Sequence, residues 1–229
     1  MTIQTQVQIY LADQRGRTQS ADYRSFHTFA FEAYQPESRQ PFGTLQGLHD
    51  DTLLAGKSHT LTVTEPTEVT LIPVVGGIEL VYGLSETVFL GAGDALRFTA
   101  YPEQAYFIVN PFETETVNFL QIWQKPVQKD SKLFQRTSFD LNNRNQLLPV
   151  LADQNRLEHP VLIGKYGGRQ EGIYSPCRIE KQVFVFVIEG AFEVQNRLLH
   201  PRDGLALRPV DELEFEALSN DAILLVMEV

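Results

Sequence analysis

Residues 59–77 read HTLTVTEPTEVTLIPVVGG, and this stretch decides the fold. Thr62, Thr64 and, after a proline, Glu68 lead into an apolar run from Val69 to Val75, which ends at two glycines. This pattern predicts a half-buried β-strand that enters a hairpin turn. Side chains two residues apart on a strand share a face, which is the spacing of a metal-binding strand. The stretch nevertheless carries no His-x-His pair.

The rest of the chain repeats the strand pattern. Between Gly56 and Gln121, strand-like segments recur about every ten residues and are separated by Gly or Pro, which is typical of a β-sandwich or barrel. A strand is predicted from Val7 to Leu11 and another from Phe42 to Leu48, followed by a turn at HDD, residues 49–51. Helical periodicity is scarce, and only residues 142–152 predict a short helix.

Two short segments recur about 110 residues apart, which indicates a duplication. GIELV at residues 77–81 resembles GAFEV at residues 190–194, and the tripeptide ALR occurs at residues 95–97 and 206–208. A chain of 229 residues is long enough for two domains with adequate cores. We therefore predict an N-terminal domain at 1–125, a polar linker at 126–140 and a C-terminal domain at 141–229.

The composition is that of a globular protein, with 43% hydrophobic and 21% charged residues. The formal net charge of -10 would repel a phosphate backbone, so direct nucleic-acid binding is not expected. No segment has the length and hydrophobicity of a signal peptide or a membrane span. The single cysteine, Cys177, cannot form an internal disulfide, which fits a reducing compartment. These observations predict a cytoplasmic protein without a membrane association.

Several motifs resemble the pirins, which are two-domain cupin proteins. The resemblance covers nearly the whole chain, and it rests on four segments: SFHTFAFEAYQPESRQPFGTLQGLHDD at 25–51, GAGDALRFTAYPEQAYFIVNP at 91–111, NFLQIW at 118–123 and RDGLALRP at 202–209. It implies an all-β fold of two tandem cupin barrels, also called double-stranded β-helices or jelly rolls. It also implies a metal, typically iron, held in the N-terminal barrel by a His-x-His pair and by a His and a Glu on a later strand.

The resemblance places other residues at the four ligand positions. Thr62 and Thr64 stand where the histidine pair is expected, and Tyr106 and Ile108 stand where the His and the Glu are expected. Hydroxyl groups are poor ligands for transition metals compared with imidazole or carboxylate, and Ile108 cannot coordinate a metal. Glu68 takes the place of the glutamate of the wider cupin pattern, and one carboxylate does not hold a transition metal. We therefore expect a degenerate metal site, no iron and no other cofactor.

Three functions remain open on the sequence. The favoured one is a metal-free, non-catalytic protein with a small molecule in the N-terminal barrel, where Thr62, Thr64, Glu68, Tyr106 and Ile108 line the pocket, or with a protein partner in a regulatory role. The alternative is an enzyme similar to quercetin 2,3-dioxygenase with relocated ligands, namely His59, Glu65, Glu68 and Glu103. The third is a side-chain-filled barrel that serves only as an interaction partner. An open cavity in the first barrel favours ligand binding, whereas a packed interior favours interaction alone.

Overall fold

The computed structural model of the chain describes residues 5–83, 87–126, 134–150, 160–177 and 182–229. Within these ranges the regular structure consists of β-strands and two 3-10 helices of three residues each, Ala12–Gln14 and Glu37–Arg39. No helix in the described ranges is long and apolar enough to cross a membrane. The all-β prediction is confirmed.

The strands follow one another with short connections. In the first part of the chain they are β1 (Gln6–Tyr10), β2 (Gly16–Gln19), β3 (Tyr23–His27), β4 (Leu45–Leu53), β5 (Ser58–Leu61), β6 (Thr67–Val75), β7 (Ile78–Tyr82), β8 (Thr87–Leu90), β9 (Asp94–Ala100), β10 (Tyr106–Val109) and β11 (Val117–Gln124). The second part contains β12 (Phe134–Ser138), β13 (Leu147–Pro149), β14 (Val161–Tyr166), β15 (Glu171–Tyr174), β16 (Val183–Glu189), β17 (Phe192–Val194), β18 (Arg197–Leu199), β19 (Gly204–Arg208), β20 (Leu213–Ala217) and β21 (Ala222–Glu228).

The chain divides into two compact units. One unit is formed by residues 16–138, and the other combines residues 1–15 with residues 139–229. Each unit contains a large and a small antiparallel sheet. The first unit orders its strands β12-β9-β6-β11-β4-β3-β2 and β5-β10-β7-β8, and the second unit orders them β1-β19-β16-β21-β14-β13 and β15-β20-β17-β18. The two orders correspond strand for strand, apart from the additional β2, as the internal repeat predicts.

The core of the first unit lies between its two sheets. Val69 and Leu71 of β6, Phe98 of β9 and Phe119 of β11 are fully buried there and belong to one apolar cluster. The apolar run from Val69 to Val75 therefore belongs to a β-strand, as its sequence predicts, and its apolar side chains supply one wall of a barrel.

The second unit has its own core, and this core contains closely packed aromatic rings. Tyr166, Phe192 and Phe215 make edge-to-face pairs with ring centroids 5.2 to 6.2 Å apart. Edge-to-face packing at these distances is favourable beyond the burial of apolar area. These aromatic side chains fill the interior of the second barrel.

Three details differ from the sequence-based predictions. The strand predicted near the N-terminus exists, but β1 pairs with β19 and so belongs to the second unit. The predicted linker contains β12, which pairs with β9 of the first unit, while residues 127–133 lie outside the described ranges. The short helix predicted at 142–152 is absent over the described residues 142–150, where β13 pairs with β14 instead. In each case the local structure is determined by pairing with a strand outside the segment itself.

Candidate functional site

Strands β3, β4 and β11 are neighbours and form one wall of the first barrel. The register places His27 opposite His49 and His49 opposite Gln121, and it also pairs Ser25 with Asp51. Residues that face each other across neighbouring strands point to the same side of the sheet. Tyr23, Phe119 and Trp123 belong to the barrel core. Ser25 lies two residues from Tyr23, and Gln121 lies two residues from both Phe119 and Trp123, so these polar residues share the core-facing side of their strands. The polar side chains at this wall therefore face the barrel interior.

The HDD segment is part of this wall, although the sequence predicts a turn there. Strand β4 continues through it to Leu53, and His49, Asp50 and Asp51 are all buried. Their side chains are buried with polar partners: His49 contacts His27, Asp50 accepts a hydrogen bond from Asn118, and Asp51 accepts one from Gln121. Such pairing removes most of the cost of burying polar groups. The turn prediction is wrong because it assumed that three consecutive polar residues face solvent.

His27 and His49 form a buried pair of imidazoles. Their Nδ1 atoms lie 2.8 Å apart, and His27 Nε2 lies 2.8 Å from Thr18 Oγ1. A hydrogen bond between two Nδ1 atoms needs one donor and one acceptor. A positively charged imidazole has a proton on both nitrogens, so this hydrogen bond is lost if both rings are charged. Burial lowers the pKa of His49 well below its usual value, and the nearby His27 lowers it further. His49 is therefore neutral at physiological pH.

Asp51 lies deeper in the same wall and is completely buried. Burial raises its pKa from 3.8 to about 7, although hydrogen bonds with Ser25, Gln121 and Tyr23 act in the opposite direction. Gln121 connects Asp51 to the opposite wall, because its Oε1 accepts a hydrogen bond of 2.9 Å from the Tyr106 hydroxyl. The result is a buried polar network whose central carboxyl group is close to half protonated at neutral pH.

A cavity of about 190 Å³ lies in front of this wall. Its lining includes His27, His49 and Gln121 from the wall, Phe31 and Trp123 as aromatic surfaces, and residues 59–62 on the opposite side. The first barrel therefore contains a pocket, but of the five predicted lining residues only Thr62 lies in its wall.

One polar atom of the wall lacks a partner. His49 Nε2 is buried, and it has no hydrogen-bond partner among the residues that the structure describes. It lies close to Gly47 and has almost no accessible surface, so a group in the pocket does not reach it. Gly47 makes room for this ring, since a Cβ atom at Gly47 would lie 2.7 Å from His49 Nε2. The wall is thus shaped around the His49 imidazole.

The structure corrects the predicted positions of Thr62 and Thr64. Both are exposed, and the residue between them, Val63, is buried in the barrel core. Thr62 lines the cavity, whereas Thr64 does not. On β5 the interior positions are those that pair with Tyr106 and Ile108, namely Leu61 and His59. Thr62 and Thr64 follow the end of β5 at Leu61, so they lie outside this pairing and do not face the interior as one pair.

His59, one of the relocated ligands considered from the sequence, lies on the interior side of β5. The imidazole lines the cavity and stacks on the Tyr23 ring, with centroids 3.6 Å apart and planes 10° apart. Partial burial lowers the pKa of His59. Its place on the same side as Leu61 follows from the strand register.

The remaining predicted pocket residues separate into two groups. Tyr106 and Ile108 share the interior face of β10, as predicted, and both are fully buried in the core behind the cavity. Glu68 is buried as well, but it alternates with the core residue Val69 and so faces the other side of β6. On that side it interacts electrostatically with Arg97. Glu68 is therefore not a pocket residue, because strand alternation turns it away from the barrel interior.

The four positions expected to hold the family's metal do not fit a metal ion. Thr62 and Thr64 are exposed, the Tyr106 hydroxyl donates to Gln121, and Ile108 has no donor atom. Among the described residues no group of three or more His, Cys, Asp or Glu side chains is placed to hold a metal. This includes the relocated set considered from the sequence, His59, Glu65, Glu68 and Glu103.

Sequence reasoning missed His27, His49 and Asp51. His49 and Asp51 belong to the polar run HDD, which predicts a turn, so the local sequence does not show that they face a core. His27 and His49 are 22 positions apart, and only the pairing of β3 with β4 brings them together. Without that register the two histidines look scattered along the chain.

Known proteins share this architecture. Residues 169–229 match the family model of the quercetinase C-terminal cupin domain. Quercetin 2,3-dioxygenase of Escherichia coli (strain K12) is 23% identical over 95% of this chain and 97% of its own length. The crystal structure of YhhW from Escherichia coli has a TM-score of 0.85 at 19% identity and covers 98% of both chains. A second structure, bacterial pirin YhhW in complex with nickel(II), has a TM-score of 0.84 at 19% identity, covering 97% of this chain and 99% of the other.

The fold and these matches define the class of the protein, which is a cupin with two barrels. Within this class the fold is similar to that of YhhW, and the similarity spans both barrels. The fold expected from the sequence motifs is confirmed. At 19% identity the structural similarity establishes the fold, and the nickel belongs to the relative.

Proposed function

We propose that this pirin-like bicupin binds a small molecule in its N-terminal barrel and that it does so without a metal. The observation that carries the proposal is the cavity of about 190 Å³, which is lined by the histidines His27, His49 and His59. Binding pockets generally combine apolar and aromatic walls with a few placed polar groups. The pocket has this composition, with Phe31 and Trp123 beside the histidines.

Trp123 provides a direct test of ligand binding, because it is the chain's single tryptophan and it lines the cavity. We expect saturable changes in tryptophan fluorescence when single-ring aromatic fragments are titrated into the full chain. In Gly47→Ala the added methyl group would lie 2.7 Å from His49 Nε2 and 3.4 Å from Trp123 Cβ. Because the methyl group displaces the His49 ring and so changes the wall of the cavity, this variant is expected to weaken binding about tenfold or more, the equivalent of about 1.4 kcal/mol.

Gly91→Ala is the matched control for Gly47→Ala. Its added methyl group would lie 3.6 Å from Phe89 and 3.9 Å from Asp94, which is ordinary van der Waals contact in the same barrel. Gly91→Ala should leave the fluorescence titration unchanged. Equal behaviour of the two variants, or no fluorescence response to any fragment, would rule out this pocket as the binding site.

The metal-free part of the proposal is tested separately. Elemental analysis and native mass spectrometry of the purified full chain are expected to find less than one iron, nickel, copper or zinc atom per chain. The reason is that the four family positions offer two exposed hydroxyls, one engaged hydroxyl and one apolar side chain. One tightly held transition-metal ion per chain would overturn this part.

A quercetin 2,3-dioxygenase activity is the second candidate, because a curated relative carries that name and aligns over most of both chains. The candidate requires a metal set that these residues do not offer in the expected positions. Metal-dependent quercetin turnover by the purified protein, lost in a substitution of the cavity-lining His59, His59→Ala, would support it. Absence of turnover with every divalent metal tried would end it.

A further inference from the structure

A two-residue hairpin brings a carboxylate to the cavity beside an aromatic ring. Phe31 and Tyr34 exchange two backbone hydrogen bonds of 2.8 Å, so Glu32 and Ala33 form the loop between them. Phe31 and Glu32 both line the cavity. The hairpin therefore adds a ring and a negative charge to a lining in which no other described residue is Asp, Glu, Lys or Arg.

Glu32 occupies a backbone position that is typical of glycine. Its φ is 46°, in the left-handed region. Two-residue hairpin loops with a positive φ at the first residue usually carry glycine there, because a Cβ atom strains this conformation. The backbone oxygen of Glu32 accepts a hydrogen bond from Gln35, whereas its carboxylate has no hydrogen bond or ion pair within the described part of the chain. Backbone strain without a stabilising side-chain contact points to a functional role for this carboxylate.

Strand alternation keeps arginine side chains out of the cavity. Arg17 follows β2 directly before the lining residue Thr18, and Arg24 directly follows the lining residue Tyr23 on β3, so both arginines point to the other face of the sheet. On that face both guanidinium groups lie over the Phe26 ring, with Cζ 5.9 Å and 5.3 Å from its centroid. No Arg or Lys of these two strands therefore faces the cavity.

The histidines of the cavity offer little to an anion. Burial lowers the pKa of both His49 and His59, so both imidazoles are neutral at physiological pH. Both ring nitrogens of His27 are engaged, one by Thr18 and the other by His49. A carboxylate or phosphate in the cavity would lose its hydration without gaining a free cationic partner, which is costly.

Negative charge also lies behind the wall. Burial raises the pKa of Asp51 to about 7, so this carboxyl group is partly ionised at neutral pH, and it accepts a hydrogen bond from the lining residue Gln121. The chain as a whole has a formal net charge of -10. Together with Glu32, these charges attract a cation to the cavity and repel an anion.

The aromatic side chains of the lining are suited to a cation. Phe31 and Trp123 have perpendicular planes, 87° apart, and their centroids are separated by 5.7 Å. One face of the His59 ring stacks on Tyr23, with centroids 3.6 Å apart, so its other face is turned away from Tyr23. Ring faces carry partial negative charge, and several rings at different angles are the usual surroundings of a bound organic ammonium group.

We infer that the cavity of the first barrel binds a small organic cation, an alkylammonium compound whose positive charge lies beside Glu32 and the rings of Phe31 and Trp123. This inference rests on the proposed function and names the chemical class of the ligand. The cation and its two kinds of partner, a carboxylate and aromatic rings, account for the charge and the composition of the lining.

Three probes with the same ring and nearly the same size test the charge preference: benzylammonium, benzyl alcohol and benzoate, which are positive, neutral and negative at pH 7. The full chain is titrated with each probe at this pH, and binding is followed by the fluorescence of Trp123 and by isothermal titration calorimetry. Benzylammonium is expected to bind at least about tenfold more tightly than benzyl alcohol, because it adds a cation–π interaction and the attraction of Glu32. Benzoate should bind more weakly than benzyl alcohol.

Substitutions assign this preference to residues. Glu32→Gln removes the charge and keeps the shape of the side chain, so it is expected to weaken benzylammonium binding by about threefold or more and to leave benzyl alcohol binding unchanged. Glu113→Gln is the matched control, because Glu113 is exposed outside the cavity lining and its substitution changes the net charge by the same amount. Phe31→Leu keeps an apolar side chain against the core cluster but removes the ring, so it should reduce the preference for benzylammonium over benzyl alcohol.

The outcomes separate the ligand class from the pocket. Binding of benzyl alcohol or benzoate as tight as that of benzylammonium or tighter, and weakened in Gly47→Ala, would overturn the ligand class while the pocket stands. Equal effects of Glu32→Gln and Glu113→Gln would overturn the role of Glu32, because the net charge would then explain both. No fluorescence response to any of the three probes would rule out the pocket itself and with it the proposed function.

Discussion

Asp51→Asn is expected to gain stability relative to the unmodified protein as the pH rises from 4 to 8. Burial raises the pKa of Asp51 from 3.8 to about 7, so between these values the folded protein holds a proton that the unfolded chain has released. The stabilisation that Asp51 contributes is fully present below about pH 4, and it is lost as the pH rises through about 7. At about 1.4 kcal/mol per pH unit, the relative change is about 4 kcal/mol.

Urea unfolding at several pH values measures this difference. His49 contributes a pH dependence of opposite sign, because its lowered pKa reduces stability as the pH falls below about 6.5. That contribution is present in both proteins and cancels in the comparison. A pH-independent difference between Asp51→Asn and the unmodified protein would contradict the raised pKa.

Asp221→Asn is the control with the opposite sign. A hydrogen bond from Lys165 and the charge of Arg144 lower the pKa of Asp221. The stability contributed by Asp221 is therefore present above its unfolded pKa and lost as the pH falls. As the pH rises, Asp221→Asn should therefore lose stability relative to the unmodified protein, whereas Asp51→Asn should gain it.

Gln121→Leu is expected to lower the free energy of unfolding by about 3 to 5 kcal/mol, because it leaves several buried polar groups without partners. Gln121 Nε2 donates to Asp51, and its Oε1 accepts from the Tyr106 hydroxyl and from Trp123 Nε1. None of these groups gains access to water when leucine replaces the amide. Urea unfolding at pH 7 gives the magnitude.

Tyr106→Phe is the graded control for this network. It removes one donor and leaves the bond between Gln121 and Asp51, so its expected cost is about 1 kcal/mol. The tyrosine ring stays in place against Phe98, with which it makes an edge-to-face pair at 5.2 Å. If Gln121→Leu costs no more than Tyr106→Phe, Gln121 is not the centre of the network.

Much of the fold could be predicted from the sequence. The recurring segments at 77–81 and 190–194 lie at the start of β7 and at β17, which hold the same place in the two small sheets. The apolar runs from Val69 and from Val183 became central strands of the two large sheets. Strands with such runs are buried on both faces, which a barrel or sandwich provides. The composition and the spacing of the apolar residues were therefore sufficient to predict this fold class.

The candidate site could be predicted only in part. Tyr106 and Ile108 face the interior because they are two residues apart on one strand, and the sequence shows that spacing. Thr62 and Thr64 have the same spacing, but they follow the end of β5 and are exposed. Where a strand ends depends on its pairing with neighbouring strands, which the spacing of two residues does not show.

The stretch HTLTVTEPTEVTLIPVVGG thus determined by itself that the chain forms β-strands around an apolar core, and that no His-x-His pair stands on this strand. The tertiary structure alone decided that the polar centre of the barrel lies on β3, β4 and β11, where His27, His49, Asp51 and Gln121 meet. The physical reason is that local alternation sets which residues share a face, whereas strand register sets which faces meet. Register depends on contacts between residues far apart in the chain.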